Sequence, residues 1–302
     1  MVDGISLHTA SRKFCITQHA EWMQKYLPLQ LVTGNDLNSR RMYSQERCRI
    51  FPRYRLAEDT LINLERFVPD AETAVSTSLQ IAQEAGEVAY SELSAELAAL
   101  ENGSVVLAAL REQLDSYLSF LVDIVQQPNK QIEPLPFRRV LQAAESNELW
   151  QMLSEKWKIR GPGYGWFPLS DDPAPEGALT FHQELWDARD GEEHLRNFLA
   201  AEHIERCFLL RELGPPNYEL DVALVDAIYD GSEKFLFAGR DWVLYSSHES
   251  SLTLTGRLAS FIRDVWPDAD RLSYGGAFHT ADLRGTWSIR HTRQNPEKVF
   301  GS

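Results

Sequence analysis

Cysteines and long apolar runs are both scarce in this chain of 302 residues. The three cysteines, Cys15, Cys48 and Cys207, lie far apart and form no CxxC pair, which argues against a disulfide framework or a zinc knuckle. The most apolar helical stretch, Tyr117 to Val125, is less than half of the about 20 residues that a bilayer core requires. The first residues show no basic segment followed by an apolar run, so no secretory signal is expected. We therefore expect a cytoplasmic protein without a membrane span.

Motifs that carry a specific chemistry are lacking as well. The chain contains no HExxH and no GxSxG, which are the patterns of zinc proteases and serine hydrolases. The segment GPGYG, residues 161–165, precedes Trp and Pro rather than a helix, and it lacks the lysine of a phosphate-binding loop. The acidic residues at 187–193 do not follow the ligand spacing of an EF-hand. The sequence thus predicts neither a metal site nor a bound cofactor.

Basic residues are outnumbered, with 30 Lys and Arg against 44 Asp and Glu, for a net charge of −14. Residues 1–160 carry 17 basic and 21 acidic side chains, whereas residues 161–302 carry 13 and 23, so the nets are −4 and −10. A net charge of −10 repels a nucleic-acid backbone and argues against nucleic acid as a partner of residues 161–302. It would attract a basic protein.

The spacing of apolar residues predicts helices in the first half of the chain. The predicted helices cover residues 16–26, 56–67, 71–100, 105–127 and 136–158. The turn at Asn102-Gly103 is short, so the two helices that it joins must be antiparallel. Gly86 lies on the Ala-rich stripe of the first of these two and suits close approach to another helix. We expect an N-terminal helical bundle.

The second half is predicted to be a mixture of strands and helices. Apolar and polar residues alternate from Tyr218 to Val225, which indicates a strand with one buried face. The runs 235–238, 242–246 and 252–255 are short and separated by turn residues, which favours an antiparallel meander. A helix at 256–266 would cover one face of the sheet, and a last strand is expected at 286–290. The fold class is therefore α+β, with an N-terminal helical bundle followed by a smaller antiparallel β-meander domain with packing helices.

A segment rich in glycine and proline, residues 161–177, separates the two halves. We predict a helical domain at 1–160, a linker or packed loop at 161–177, and an α+β domain at 178–302. The loop carries three aromatic side chains, Tyr164, Trp166 and Phe167. Such rings are common anchors in binding surfaces, and they are candidates for contact with a partner. The alternative, which the sequence favours, is that these rings fill a seam between the two domains.

The second candidate site is a cluster of arginines in a short segment. The arginines are Arg40, Arg41, Arg47, Arg49, Arg53 and Arg55, with the aromatic residues Tyr43, Phe51 and Tyr54 between them. Guanidinium groups bind phosphate and aromatic rings stack on bases, so Arg47, Arg49, Arg53 and Arg55 are candidates for binding a nucleotide, a nucleic acid or another anion. The alternative, which electrostatics favours, is that these arginines form ion pairs with the glutamates of the helix at 70–101.

The third candidate site is the turn Ser246–Ser251, which contains His248 and Glu249. A histidine beside a carboxylate can act as a general base, and Glu184 could contribute if the segment around His182 lay nearby. Neighbouring side chains of a strand point to opposite faces, however, which would keep His248 and Glu249 apart. A structural turn or a turn that contacts a partner is the favoured interpretation.

These observations favour a non-enzymatic protein that binds another protein. An immunity-type or effector-neutralising role would fit the acidic α+β half and the aromatic loop. Two alternatives stay open. One is a hydrolase or transferase that uses His248 with Glu249 or Glu184, and the other is nucleotide or nucleic-acid binding through Arg40–Arg55.

Overall fold

The computed structural model describes residues 2–31, 45–100, 102–127, 130–169, 175–229 and 232–274. The chain divides into two compact units, Met1–Val140 and Leu141–Ser302. Arg40, Arg41 and Tyr43 of the arginine segment, and the strand predicted at 286–290, lie outside the described residues.

The first unit is a helical bundle, as predicted. It contains α1 (Gly4–Leu31), α2 (Gln45–Leu64), α3 (Val75–Leu97) and α4 (Gly103–Gln126), followed by a short strand, β1 (Arg138–Val140). Each of the four helices packs against the other three. The buried positions of α3 and α4 recur at helical spacing and include Ala82, Ala89, Leu110 and Leu121. The apolar stripe seen in the sequence is therefore the stripe that forms the core.

A buried ion-pair network supports the bundle at the end of α2. Glu65 is fully buried and its carboxylate accepts from Arg12 Nε at 3.0 Å and from Arg138 Nε at 2.8–2.9 Å. The backbone carbonyl of Glu65 also accepts from the N–H of Val140 at 2.7 Å. A buried carboxylate needs such partners because its desolvation is costly. Glu65 thus ties α1 and β1 to α2.

The second unit contains a sheet and several short helices. Its elements are α5 (Ala143–Trp157), β2 (Leu179–His182), α6 (Gln183–Ala188), α7 (Gly191–Ala201), β3 (Arg206–Arg211), β4 (Tyr218–Asp221), β5 (Lys234–Phe237), β6 (Leu244–Ser246), β7 (Ser251–Leu254), α8 (Gly256–Val265) and α9 (Ala269–Leu272). Within this unit the strand order is β4-β3-β5-β6-β7-β2, and all neighbouring pairs are antiparallel. Strands β5, β6 and β7 form the predicted meander. The α+β class and the helical bundle before the sheet are confirmed.

The central strands of this sheet are buried on both faces. Phe235 pairs with Tyr245 across β5 and β6, and both rings belong to a cluster with Trp150 of α5 and Trp166. On the opposite face, Leu236 and its neighbours on β6 and β7 are also buried. Strand β4 is buried on one face only, with Tyr218 and Leu220 inward, as its alternating sequence indicates.

Several predicted element bounds are wrong. The helix expected at 136–158 begins at Ala143, because Arg138–Val140 is a strand and Gln142 forms a capping box with Glu145. The strand expected through Val225 ends at Asp221, whose carboxylate accepts from the N–H of Ala223 at 2.8 Å and starts a 3₁₀ turn. Strand β2 and helix α6 were not predicted, since both are too short to show a clear period.

The boundary between the two units differs from the predicted domain boundary. Helix α5 belongs to the second unit, where Trp150 and Leu153 are part of the same core cluster as Phe235. The units divide between Val140 and Leu141, whereas the sequence pattern placed the boundary near residue 160. Which segments fold independently stays a prediction. None of the helices in the described ranges combines the length and apolar character that crossing a bilayer requires.

Candidate functional site

Three chain segments meet at one end of the sheet in the second unit. Glu212 directly follows β3, Glu233 directly precedes β5, and the turn 247–250 follows β6. The N–H of Glu212 donates to the carbonyl of Glu233 at 3.0 Å. Because adjacent strands run antiparallel here, the end of β3, the start of β5 and the end of β6 coincide. This register gathers acidic side chains that are far apart in the sequence.

The turn after β6 places His248 at this end of the sheet. The N–H of Ser247 donates to the carbonyl of Ser251 at 3.0 Å, and the two hydroxyls are 2.7 Å apart. Ser250 adopts the left-handed backbone conformation, with a φ of 55°. This closed turn holds the side chain of His248 with 53% of its surface exposed. His248 is therefore accessible on a hydrogen-bonded turn.

Both ring nitrogens of His248 face carboxylates. Nδ1 contacts Glu233, whose side chain is only 9% exposed, and Nε2 lies 3.3 Å from Oε1 of Glu249. The expectation that His248 and Glu249 would point apart is wrong, because these residues lie in a turn and the alternation of a strand does not apply to them.

The segment around His182 adjoins the same turn. His182 pairs with Ser251 across β2 and β7, and the N–H of Gln183 donates to the carbonyl of Ser250 at 2.7 Å. Glu184 lies in the first turn of α6, where its N–H donates to Nδ1 of His182 at 3.3 Å. The structure thus brings the predicted segment next to the turn. The ring contacts of His248 are made by Glu233 and Glu249.

A third carboxylate, that of Glu212, lies in the same cluster. It accepts from the hydroxyl of Tyr245 at 2.8 Å, and both residues are buried. Burial raises the pKa of Glu212, and the charge of Glu233 raises it further, whereas Tyr245 and His248 oppose the rise. Burial and the charge of Glu212 also raise the pKa of Tyr245. Among the described residues, no group of His, Cys, Asp or Glu is arranged to hold a metal ion.

The aromatic loop reaches this end of the sheet through one backbone contact. The N–H of Gly163 donates to the carbonyl of Glu212 at 2.7 Å. Tyr164 is the next residue of the loop, and its side chain is 57% exposed. Leu213, next to Glu212, is 75% exposed. We call this end of the sheet the strand-end surface: Glu212 and Glu233 are its buried residues, and His248, Glu249, Tyr164 and Leu213 are its accessible ones.

Two of the three aromatic candidates are core side chains. Trp166 and Phe167 are each 3% exposed. The ring of Trp166 lies 6.0 Å from the rings of Phe235 and Tyr245, and the carbonyl of Phe167 accepts from Thr253 Oγ1 at 3.0 Å. Of the residues predicted to contact a partner, only Tyr164 is accessible for it.

The described arginines of the second candidate site lie on α2, in the first unit, and most of them contact their own unit. Arg47 donates to the hydroxyl of Tyr26 at 2.6 Å. Arg53 pairs with Glu112 of α4 and covers the ring of Trp22 at 4.8 Å. Arg55 lies 3.7 Å from Asp59 and 3.9 Å from Glu58, both on α2 itself.

Internal ion pairs of the kind that electrostatics favoured are thus present for Arg53 and Arg55, with Glu112, Glu58 and Asp59 as the acidic partners. Arg49 is exposed and has no ion-pair partner among the described residues. Anion binding by this segment would therefore depend mainly on Arg49.

Sequence inspection missed three residues of the strand-end surface, Glu212, Glu233 and Leu213. Each lies one or two residues outside a strand, where a polar or apolar residue carries no periodic signal. Only the pairing of β3 with β5 and of β5 with β6 reveals that they are neighbours.

No family model, no curated protein and no solved structure matches this chain.

Proposed function

We propose that this protein works by binding another protein, and that the strand-end surface makes the contact. The observation that carries the proposal is the exposure of Tyr164 and Leu213 beside a cluster of three carboxylates and His248. Tyrosine is enriched among the residues that anchor protein–protein interfaces, and such anchors are surrounded by a polar rim. The partner would present an apolar residue to Tyr164 and Leu213, and a basic residue to Glu249, the least buried of the three carboxylates.

The charge of the chain supports a basic partner. Residues 161–302 carry a net charge of −10, which accelerates association with a positively charged surface. A lysine or arginine placed near Glu249 would form a charge-assisted hydrogen bond. An immunity-type or effector-neutralising role fits this arrangement, because an acidic surface can occupy the basic site through which an effector acts.

The test is capture of a stoichiometric partner from the native host, followed by size-exclusion chromatography of the complex with the full chain. We expect the combined change Tyr164→Ser and Leu213→Ser to abolish the complex, while the matched change Val265→Ser, at an exposed residue of α8, preserves it. High salt should weaken the complex. Failure to find a partner under varied growth conditions, or a complex that tolerates the double change, would reject the proposal.

A second function is favoured by the contact between His248 and Glu233. A nearly buried carboxylate that holds one ring nitrogen is the usual way to orient a histidine for acid–base catalysis. The same surface would then bind a substrate and transfer a proton, as in a hydrolase or transferase.

The variant His248→Gln separates the two functions. An enzyme would lose turnover while it still captured its substrate. Mass spectrometry of the captured molecule before and after incubation with the unchanged protein detects the reaction. An unaltered mass together with intact capture by the variant would leave binding as the function.

A further inference from the structure

The first unit contains a groove that the proposed function does not use. It lies between α1, α4 and the segment 130–133, and its volume is about 570 Å³. Sites for small molecules commonly have volumes of about 300–1,000 Å³ and apolar walls with a few polar groups. The size of the groove is therefore suited to a small ligand.

The floor of the groove is apolar. Phe14 of α1 and Phe120 of α4 stack with ring centroids 4.7 Å apart. Ile132 and Phe120 pack against the buried cluster that contains Ala10 and Ile124, and all five residues line the groove. A hydrocarbon chain would remove this apolar surface from water, which is favourable.

The rim of the groove carries two lysines. Lys13 and Lys130 both line it. Lys13 Nζ lies 3.8 Å from the carboxylate of Glu133, which is exposed, and Lys130 has no ion-pair partner among the described residues. An exposed pair at this distance is weak, so an anionic group on a ligand can compete with Glu133 for Lys13.

We infer that this groove binds an amphipathic anion with an aliphatic tail, such as a medium-chain fatty acid. The tail would lie on Phe14, Phe120 and Ile132, and the head group would lie between the two lysines. The placement of two cations at the mouth of an apolar groove, in a chain with a net charge of −14, is the complement of such a molecule. A neutral apolar molecule would leave both lysines without a role.

Isothermal titration calorimetry of the full chain with decanoate, at concentrations where decanoate is monomeric, tests the inference. We expect saturable binding with one site, and weaker binding of decanol, which has the same tail without the charge. Acetate, which has the charge without the tail, should not bind. The changes Lys13→Gln and Lys130→Gln should each weaken decanoate binding about five- to tenfold, and Lys25→Gln, on α1 outside the groove, should not.

Two further variants separate binding from general damage to the fold. Glu133→Gln removes the competitor of the head group, so it should strengthen decanoate binding, an effect that misfolding cannot produce. Thr17→Trp, at an exposed position within the groove, should prevent decanoate binding. Ala20→Trp, at an exposed position of α1 outside the groove lining, should leave decanoate binding unchanged. The inference is overturned by the absence of saturable binding, by equal affinity for decanol, or by indifference to the lysine and Thr17 changes.

Discussion

Asp59 on α2 shows how the environment of one residue changes its protonation. Burial raises its pKa to about 6, and the charges of Glu58, Glu92 and Glu96 add to the rise, while Arg55 opposes it. The folded protein therefore retains a proton that the unfolded chain releases near its ordinary value of 3.8. The stability that comes from the neutral carboxyl is complete below that value, and it is lost as the pH rises through about 6.

We predict that Asp59→Asn raises the free energy of unfolding at pH 7 by about 1–2 kcal/mol. The amide resembles the neutral carboxyl and carries no charge into the acidic surroundings, so the decline in stability between about pH 4 and 7 should become shallower. Urea unfolding of the full chain, followed by circular dichroism at several pH values, measures both effects. Glu87→Gln, at an exposed position of α3, is the control, and an equal gain from it would contradict the explanation.

At the scale of elements, the contact between α3 and α4 depends on Gly86. A Cβ at this position would come within 2.9 Å of the ring of Tyr117, and within 3.2 Å of Leu114. The hydroxyl of Tyr117 donates to the carbonyl of Ala82 at 3.0 Å, which holds the ring against α3. The close approach that the sequence predicts at Gly86 is therefore present, and the ring of Tyr117 occupies the space that a side chain would need.

Gly86→Val should lower the free energy of unfolding by about 1–3 kcal/mol, because the added methyl groups overlap the ring of Tyr117 and force the helices apart. Glu87→Val, at the exposed position next to it, controls for the helix propensity of valine. Chemical unfolding of both variants gives the comparison. If the two variants lost stability equally, close packing at Gly86 would not be the cause.

At the scale of the whole molecule, the division into units gives α5 a role that its position in the sequence conceals. Trp150 and Leu153 of α5 share a core cluster with Phe235, Phe237 and Tyr245 of the sheet. Without α5, part of this face of the sheet would be exposed to water.

We predict that a fragment of residues 141–302 folds with native-like tertiary structure, whereas a fragment of residues 161–302, cut at the boundary that the sequence pattern favours, is less stable. The loss of α5 should expose the sheet and increase the binding of a hydrophobic dye. Near-ultraviolet circular dichroism and thermal unfolding compare the two fragments. Equal stability would show that α5 does not belong to the folding unit of the sheet.

The candidate sites differ in how far the sequence led to them. The turn with His248 was accessible from the pattern of turn residues around it, whereas the exposure of Tyr164 was not, since the sequence favoured burial of all three rings of the loop in a seam. The packing of Trp166 against the sheet and the approach of Glu212 and Glu233 to His248 were not accessible either, because these contacts depend on the pairing of β3, β5 and β6.

Local periodicity was sufficient for the helical bundle, the meander and the α+β class, because apolar side chains spaced at about 3.6 or 2 residues must share a face wherever the element lies. Whether a side chain ends in the core or at a surface is a question of which distant segments cover it. Strand register decided that the carboxylate of Glu233 contacts His248, and the packing of α1, α4 and the segment 130–133 decided that Lys13 and Lys130 line one apolar groove. Such neighbours are far apart along the chain, so only the folded arrangement could bring them together.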